Sequence, residues 1–87
     1  MKSFSELSPS LVEKKAEEIW KTELRVTEGQ TDATFFELSG QSIAAVRIAA
    51  RVEEELGVTI DIGDLFEDPD MNGFVRYVAD KFEAARG

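Results

Sequence analysis

The stretch that decides the fold is MNGFVRYVADKF, residues 71–82, because its apolar side chains recur with the period of an α-helix. The apolar positions are Met71, Phe74, Val75, Val78, Ala79 and Phe82. Spacings of three and four residues place them on one face of a helix and leave the intervening polar residues on the other. We therefore predict a helix over residues 70–85, with Asp68 or Asp70 as its N-cap.

A second helix is predicted upstream, over residues 10–24. Ser8 is the expected N-cap, and Pro9 suits the first helical turn, where its missing N–H has no cost. The residues that recur at helical spacing and should be buried are Val12, Ala16, Ile19 and Trp20. Residues 25–34 follow as a loop that is rich in polar and turn-forming residues.

A third helix is predicted over residues 42–56, with Gly57 as its C-cap. Its expected core stripe is Ala45, Ile48, Ala49, Val52 and Leu56. A short helical turn is expected at residues 62–66. No run shows the strict alternation of a half-buried strand, and 87 residues allow only one domain. The sequence thus predicts a single all-α domain over residues 1–87, a small bundle of three main helices plus one short helix.

Charge and composition exclude several functions. The chain has 10 Lys and Arg against 18 Asp and Glu, for a net charge of -8, which argues against nucleic-acid binding and against adhesion to anionic membranes. It has neither cysteine nor histidine, so thiolate and Ser-His chemistry are excluded. Residues 68–73 match the first half of a calcium-binding loop, but Ala79 stands where a bidentate Glu is needed. We expect no catalytic residue, no metal site and no enzymatic activity.

The sequence also predicts a cytoplasmic location. Residues 1–6 contain no apolar run of signal-peptide length. No stretch approaches the 18 apolar residues of a membrane span.

Ser42 is a candidate functional residue, because it follows Gly40 and Gln41 at a predicted helix start. Backbone N–H groups are free there and the helix dipole favours an anion, so a phosphate on the Ser42 hydroxyl would be stabilised. The other interpretation is that Ser42 or Ser39 only caps the helix. The residues alone leave both open.

A second stripe on the same helix begins beside Ser42. It consists of Ile43, Val46, Arg47 and Ala50. One interpretation is an exposed apolar contact surface. The other is a central helix that is buried over most of its circumference. Spacing does not separate the two.

The segment from Asp32 to Ile43 resembles the core motif of peptidyl carrier domains of nonribosomal peptide synthesis. That motif is a Phe-Phe-x-x-Gly-Gly-His-Ser-Leu-like stretch, which Phe35–Leu38, Gly40 and Ser42-Ile43 match. The likeness continues through residues 49–58 and 64–69. In this chain Ser39 replaces the first glycine and Gln41 replaces the usual His.

The resemblance implies that Ser42 carries a covalent 4'-phosphopantetheine arm taken from coenzyme A, whose thiol holds an aminoacyl or acyl group as a thioester. It further implies that Phe35, Phe36 and Leu38 pin the loop to the core and that Gly40 allows close approach of a partner. The implied docking residues are Gly40, Gln41, Ile43, Val46 and Arg47.

The implied partners are a phosphopantetheinyl transferase, an adenylation or other acyl-loading enzyme, and condensation, tailoring or thioesterase domains. A monomer is expected. The chain could be a stand-alone carrier or an excised domain. Two alternatives remain: a fatty-acid or polyketide acyl carrier protein, and an unmodified helical protein-interaction module.

Overall fold

Four helices make up the computed structural model, which describes residues 7–38 and 40–86. They are α1 (Pro9–Glu23), α2 (Ser42–Leu56), α3 (Ile62–Leu65) and α4 (Met71–Arg86). Within those ranges there is no strand, only one isolated antiparallel bridge between Thr34 and Asp70. The predicted all-α fold of three main helices and one short helix is confirmed, and each helix end lies within one residue of its predicted position.

Local sequence signals account for where the helices begin and end. The Ser8 hydroxyl accepts the N–H of Leu11 at 3.2 Å and caps α1, which Pro9 begins. Gly57 ends α2 with a φ of 69°, a left-handed conformation that glycine adopts without strain. Asp70 caps α4, because its Oδ1 accepts the N–H of Gly73 at 2.8 Å.

Three aromatic rings form the centre of the core. Trp20 of α1 lies 5.1 Å from Phe74 of α4 and 6.3 Å from Phe35, measured between ring centroids, and all three residues are fully buried. Such tilted pairs add to the stabilisation from buried area. Since Phe35 belongs to the loop before α2, the core fixes one point of that loop.

Most residues of the predicted core stripes are buried. Ala49, Val75 and Ala79 are only half-buried, because they lie at the flank of the buried face of their helices. A helix presents only part of its circumference to a bundle this small.

Arg51 joins α2 to α1 at the edge of the core. Its Nε donates to Glu55 at 2.8 Å and its Nη1 donates to Glu23 at 3.3 Å. The hydrogen bond to Glu55 contributes most to raising the pKa of Arg51. This half-exposed network adds modestly to the packing of the two helices.

Tyr77 of α4 holds the segment that leads into α3. Its hydroxyl accepts the N–H of Asp61 at 3.1 Å. Burial raises the pKa of Tyr77, and the Asp64 carboxylate acts in the same direction. The folded protein therefore binds the phenolic proton more tightly than the unfolded chain does.

We expect the free energy of unfolding to fall as pH rises above about 10, the ordinary pKa of tyrosine. The Tyr77→Phe variant has no phenolic proton and should lose less stability over that range. Tyr77 is the single tyrosine of the chain, so tyrosinate absorbance follows it directly. Denaturant midpoints of both proteins across this range complete the measurement. A native-state titration of Tyr77 at or below its ordinary pKa would contradict the prediction.

Candidate functional site

The site begins with the loop before α2, which is fastened to the segment before α4. Thr34 forms its bridge with Asp70, and the N–H of Phe35 donates to the carbonyl of Pro69 at 2.8 Å. The N–H of Phe36 donates to Oδ1 of Asp68 at 2.9 Å. Three consecutive residues of the loop are thus held by three consecutive residues before α4.

Gly40 packs directly on Phe35. Its N–H donates to the carbonyl of Phe35 at 2.8 Å, and a Cβ at Gly40 would lie 2.6 Å from both that oxygen and Cε2 of the ring. No larger residue fits without moving Phe35. The sequence resemblance explains the glycine at position 40 by the close approach of a partner. The structure instead explains it by packing against Phe35 of the same chain. Docking at Gly40 stays a prediction.

Phe36 does not pin the loop to the core, so this expectation was wrong. Phe35 and Leu38 are buried as predicted, but Phe36 is 50% exposed. Its ring stacks on that of Phe66 with a centroid distance of 6.4 Å and an interplanar angle of 13°. The Phe36 ring contacts that of Phe35 from outside, with 5.6 Å between centroids, and only Phe35 enters the core.

Ser42 is the first residue of α2 and is exposed. Gln41 occupies the N-cap position in an extended conformation, and its side chain makes no capping bond. Interpreting Ser42 as a plain N-cap is therefore wrong. The Ser42 hydroxyl makes no hydrogen bond to any residue in the described ranges. Ser39, the other candidate cap, lies outside them.

The start of α2 favours a negative charge. The first bond across this turn runs from the N–H of Ala45 to the carbonyl of Gln41 at 3.0 Å. The preceding N–H groups, from Ser42 to Ala44, therefore have no acceptor within the helix. No acidic residue lies in the first turn, so the dipole is not already compensated there.

An apolar surface lies beside the serine. Ser42, Ile43, Val46 and Arg47 line a shallow, open depression of about 300 Å³. Ile43 is 65% exposed and Val46 is 51% exposed. The interpretation of α2 as a helix buried over most of its circumference is therefore wrong, and the predicted exposed stripe is present. The structure brings the predicted residues Ser42, Ile43, Val46 and Arg47 together on one surface. Gln41 is exposed and Gly40 is half-buried, and both lie just before this surface in the chain.

Sequence reasoning missed Asp68 and Phe66 as parts of this site. The sequence predicted Asp68 only as a possible N-cap of α4 and gave Phe66 no role of its own. Asp68 and Phe36 are 32 positions apart in the chain, so no local sequence pattern predicts their contact.

These features define a small helical module that presents one serine hydroxyl at the exposed start of a helix beside an apolar surface. Residues 14–78 match the family described as "Phosphopantetheine attachment site". The match covers more than half of the chain, so the chain belongs to this family. The resemblance stated from the sequence is confirmed.

Several peptide synthetases contain a similar segment. Bacitracin synthase 3 of Bacillus licheniformis is 35% identical over 66 residues, which cover 76% of this chain and 1% of that protein. Surfactin synthase subunit 1 of Bacillus subtilis is 33% identical over 67 residues, 77% of this chain and 2% of that protein. A dimodular nonribosomal peptide synthase of Bacillus subtilis is 48% identical over 42 residues, 48% of this chain and 2% of that protein. The chain thus spans only a small fraction of the length of these relatives.

The family carries covalently attached 4'-phosphopantetheine, and the start of α2 fits such a group. It offers an exposed hydroxyl with no partner among the described residues, together with N–H groups that have no acceptor within the helix and suit a phosphodiester. In the described part of the chain, no cluster of acidic residues is placed to hold a metal ion. None of the helices described there has the length and apolar character needed to cross a bilayer.

Proposed function

We propose that this chain is a peptidyl carrier domain and that Ser42 is the attachment point of 4'-phosphopantetheine. The observation that carries the proposal is the exposed hydroxyl at the first residue of α2, which has no hydrogen-bond partner in residues 7–38 and 40–86. Ser39 and Ser42 are the two serines within the residues that match the family. Ser42 is the one that follows Phe35, Phe36 and Gly40 at the motif's spacing.

In the attachment reaction this chain supplies only the acceptor hydroxyl and the surroundings that stabilise the product. An Oγ–P bond forms at Ser42 while a P–O bond in the diphosphate of coenzyme A breaks and adenosine bisphosphate leaves. The hydroxyl proton goes to a base of the transferase, because this chain has no histidine and no acidic residue in the first turn of α2. The free N–H groups of α2 and its dipole stabilise the charge of the resulting phosphodiester. The arm then supplies a thiol that holds an acyl group as a thioester.

The relatives' names support the peptide-synthesis branch over fatty-acid or polyketide synthesis. In this proposal the chain is a non-catalytic shuttle in which residues 1–87 act as one domain. A phosphopantetheinyl transferase modifies it, an adenylation or other loading enzyme charges it, and condensation, tailoring or thioesterase domains unload it. Tethering raises the effective concentration of the acyl group at each partner. The cytoplasmic location and the monomeric state stay predictions.

The docking role of the exposed stripe can be tested with matched variants. Val46→Ser removes an exposed apolar side chain beside Ser42, and we expect the KM of a phosphopantetheinyl transferase for this chain to rise about 5- to 10-fold. Leu11→Ser makes the same kind of change on α1, where Leu11 is 39% exposed, and should leave this KM unchanged. Equal KM values for the two variants would contradict docking at Val46.

The experiment that tests the proposed function is an intact-mass measurement with coenzyme A and a broad-specificity phosphopantetheinyl transferase. We expect a gain of one phosphopantetheinyl group, which peptide mapping should assign to Ser42. No gain with several transferases, on protein shown to be folded, would favour the unmodified interaction module. Charging of the modified chain by fatty-acid or polyketide loading enzymes, but not by adenylation enzymes, would favour those branches.

A further inference from the structure

The contact between Asp68 and Phe36 differs from its neighbours in one respect. The Phe35–Pro69 hydrogen bond and the bridge between Thr34 and Asp70 join backbone groups. The bond to the N–H of Phe36 instead comes from a side chain, the Asp68 carboxylate, at 2.9 Å. Of these three connections, this one depends on the residue type at position 68.

Asp68 adopts an unusual backbone conformation to make this contact. Its φ is 65°, in the left-handed region that few residues other than glycine, asparagine and aspartate adopt. Its own N–H donates to the carbonyl of Leu65 at 3.3 Å and closes the turn after α3. A left-handed residue that is not glycine is uncommon, and such positions cluster at functional sites.

A continuous set of contacts runs from Asp68 to the serine. The ring of Phe36 lies 5.6 Å from that of Phe35, centroid to centroid. The carbonyl of Phe35 accepts the N–H of Gly40. A Cβ at Gly40 would overlap both the carbonyl oxygen and the ring of Phe35. Gly40 is followed by the N-cap Gln41 and then by Ser42. Phe36 is therefore in contact, through Phe35, with the residues that lead into α2.

We propose that Asp68 is a positioning residue that holds the loop before α2 in the conformation that a transferase recognises. This inference rests on the proposed function of Ser42. Without the carboxylate, the N–H of Phe36 loses its acceptor and the loop samples additional conformations. A transferase then binds only the competent fraction, so its KM for this chain rises by the inverse of that fraction. Once the chain is bound in the correct conformation, kcat is unchanged.

The effect is local, because the Asp68–Phe36 hydrogen bond is exposed and the packing of α1 against α2 and α4 does not depend on it. Exposed loops open with free energies far below that of global unfolding. Loss of this bond should therefore change the loading kinetics and the local protection of amides while leaving the unfolding midpoint nearly unchanged.

Three variants separate the hydrogen bond from charge and backbone strain. Asp68→Gly removes the acceptor and adopts a positive φ freely, so the fold should survive. Asp68→Asn keeps an Oδ1 acceptor and also tolerates this conformation, so it should rescue loading. Glu67→Gln removes one negative charge from the adjacent exposed residue and serves as the control.

The test combines transferase kinetics with amide hydrogen exchange on the full chain. For Asp68→Gly we expect KM to rise about 3- to 10-fold with kcat retained, and faster exchange at the amides of Phe36 and Gly40. Asp68→Asn and Glu67→Gln should behave like the wild type. An unchanged KM in Asp68→Gly, or equal impairment in Asp68→Asn or Glu67→Gln, would overturn the positioning role. A wild-type chain that takes up no group would overturn the proposed function instead, and the exchange rates would then decide whether Asp68 orders the loop.

Discussion

Replacing Ser42 by alanine should abolish the gain of one phosphopantetheinyl group and leave the fold intact. The hydroxyl supplies the oxygen of the new Oγ–P bond, and alanine offers no nucleophile in its place. The side chain is exposed and makes no hydrogen bond to a described residue, so little stability depends on it. Alanine also has a high helix propensity. We expect the free energy of unfolding to change by less than about 0.5 kcal/mol.

Ser10→Ala is the matched control. Ser10 is likewise an exposed serine in the first turn of a helix, but it belongs to α1. This variant should be modified at the wild-type rate. Intact mass after incubation with coenzyme A and transferase measures the modification. Thermal melts of the wild type, Ser42→Ala and Ser10→Ala show whether each protein is folded.

Residual modification in folded Ser42→Ala would contradict the assignment. Peptide mapping would then show whether Ser39, the other serine within the family match, is the acceptor. A large loss of stability in Ser42→Ala would show that the hydroxyl has a structural role, contrary to its exposed position in α2.

The helices were predictable because their signals are local. The spacing of apolar residues from Met71 to Phe82 identifies α4 without knowledge of any other segment. Ser8 caps α1 and Gly57 ends α2 through bonds to residues only a few positions away. Asp70 as the cap of α4 follows from the same logic. Hydrophobic periodicity and capping therefore fix the elements of this small bundle.

The detail of the site was less predictable, because it depends on contacts between distant segments. Phe36 lies outside the core, where it stacks on Phe66, 30 positions along the chain, and its N–H donates to the Asp68 carboxylate. Likewise, a motif shows that glycine stands at position 40, but only the packed structure shows that Phe35 excludes a Cβ there. A sequence pattern can thus locate the serine without revealing what holds it in place.

Gly40→Ala should have the largest effect of any conservative change near the site. The obstacle is space, since the new Cβ would lie 2.6 Å from the carbonyl oxygen of Phe35 and 2.6 Å from Cε2 of its ring. A backbone carbonyl cannot rotate away as the end of a flexible side chain can. Phe35 would have to move within a core that it shares with Trp20.

We expect Gly40→Ala to lower the free energy of unfolding by about 1–3 kcal/mol, the usual range for overpacking. Its loading rate should also fall under conditions where the variant is still folded, because the displaced loop leads directly into Ser42. Gly73→Ala is the control, since a Cβ there meets the Asp70 side chain at 3.2 Å rather than backbone. Denaturant unfolding and transferase kinetics on both variants provide the measurement. If Gly40→Ala matched the wild type in both stability and loading rate, the prediction would be contradicted. Gly40 would then not be packed tightly against Phe35.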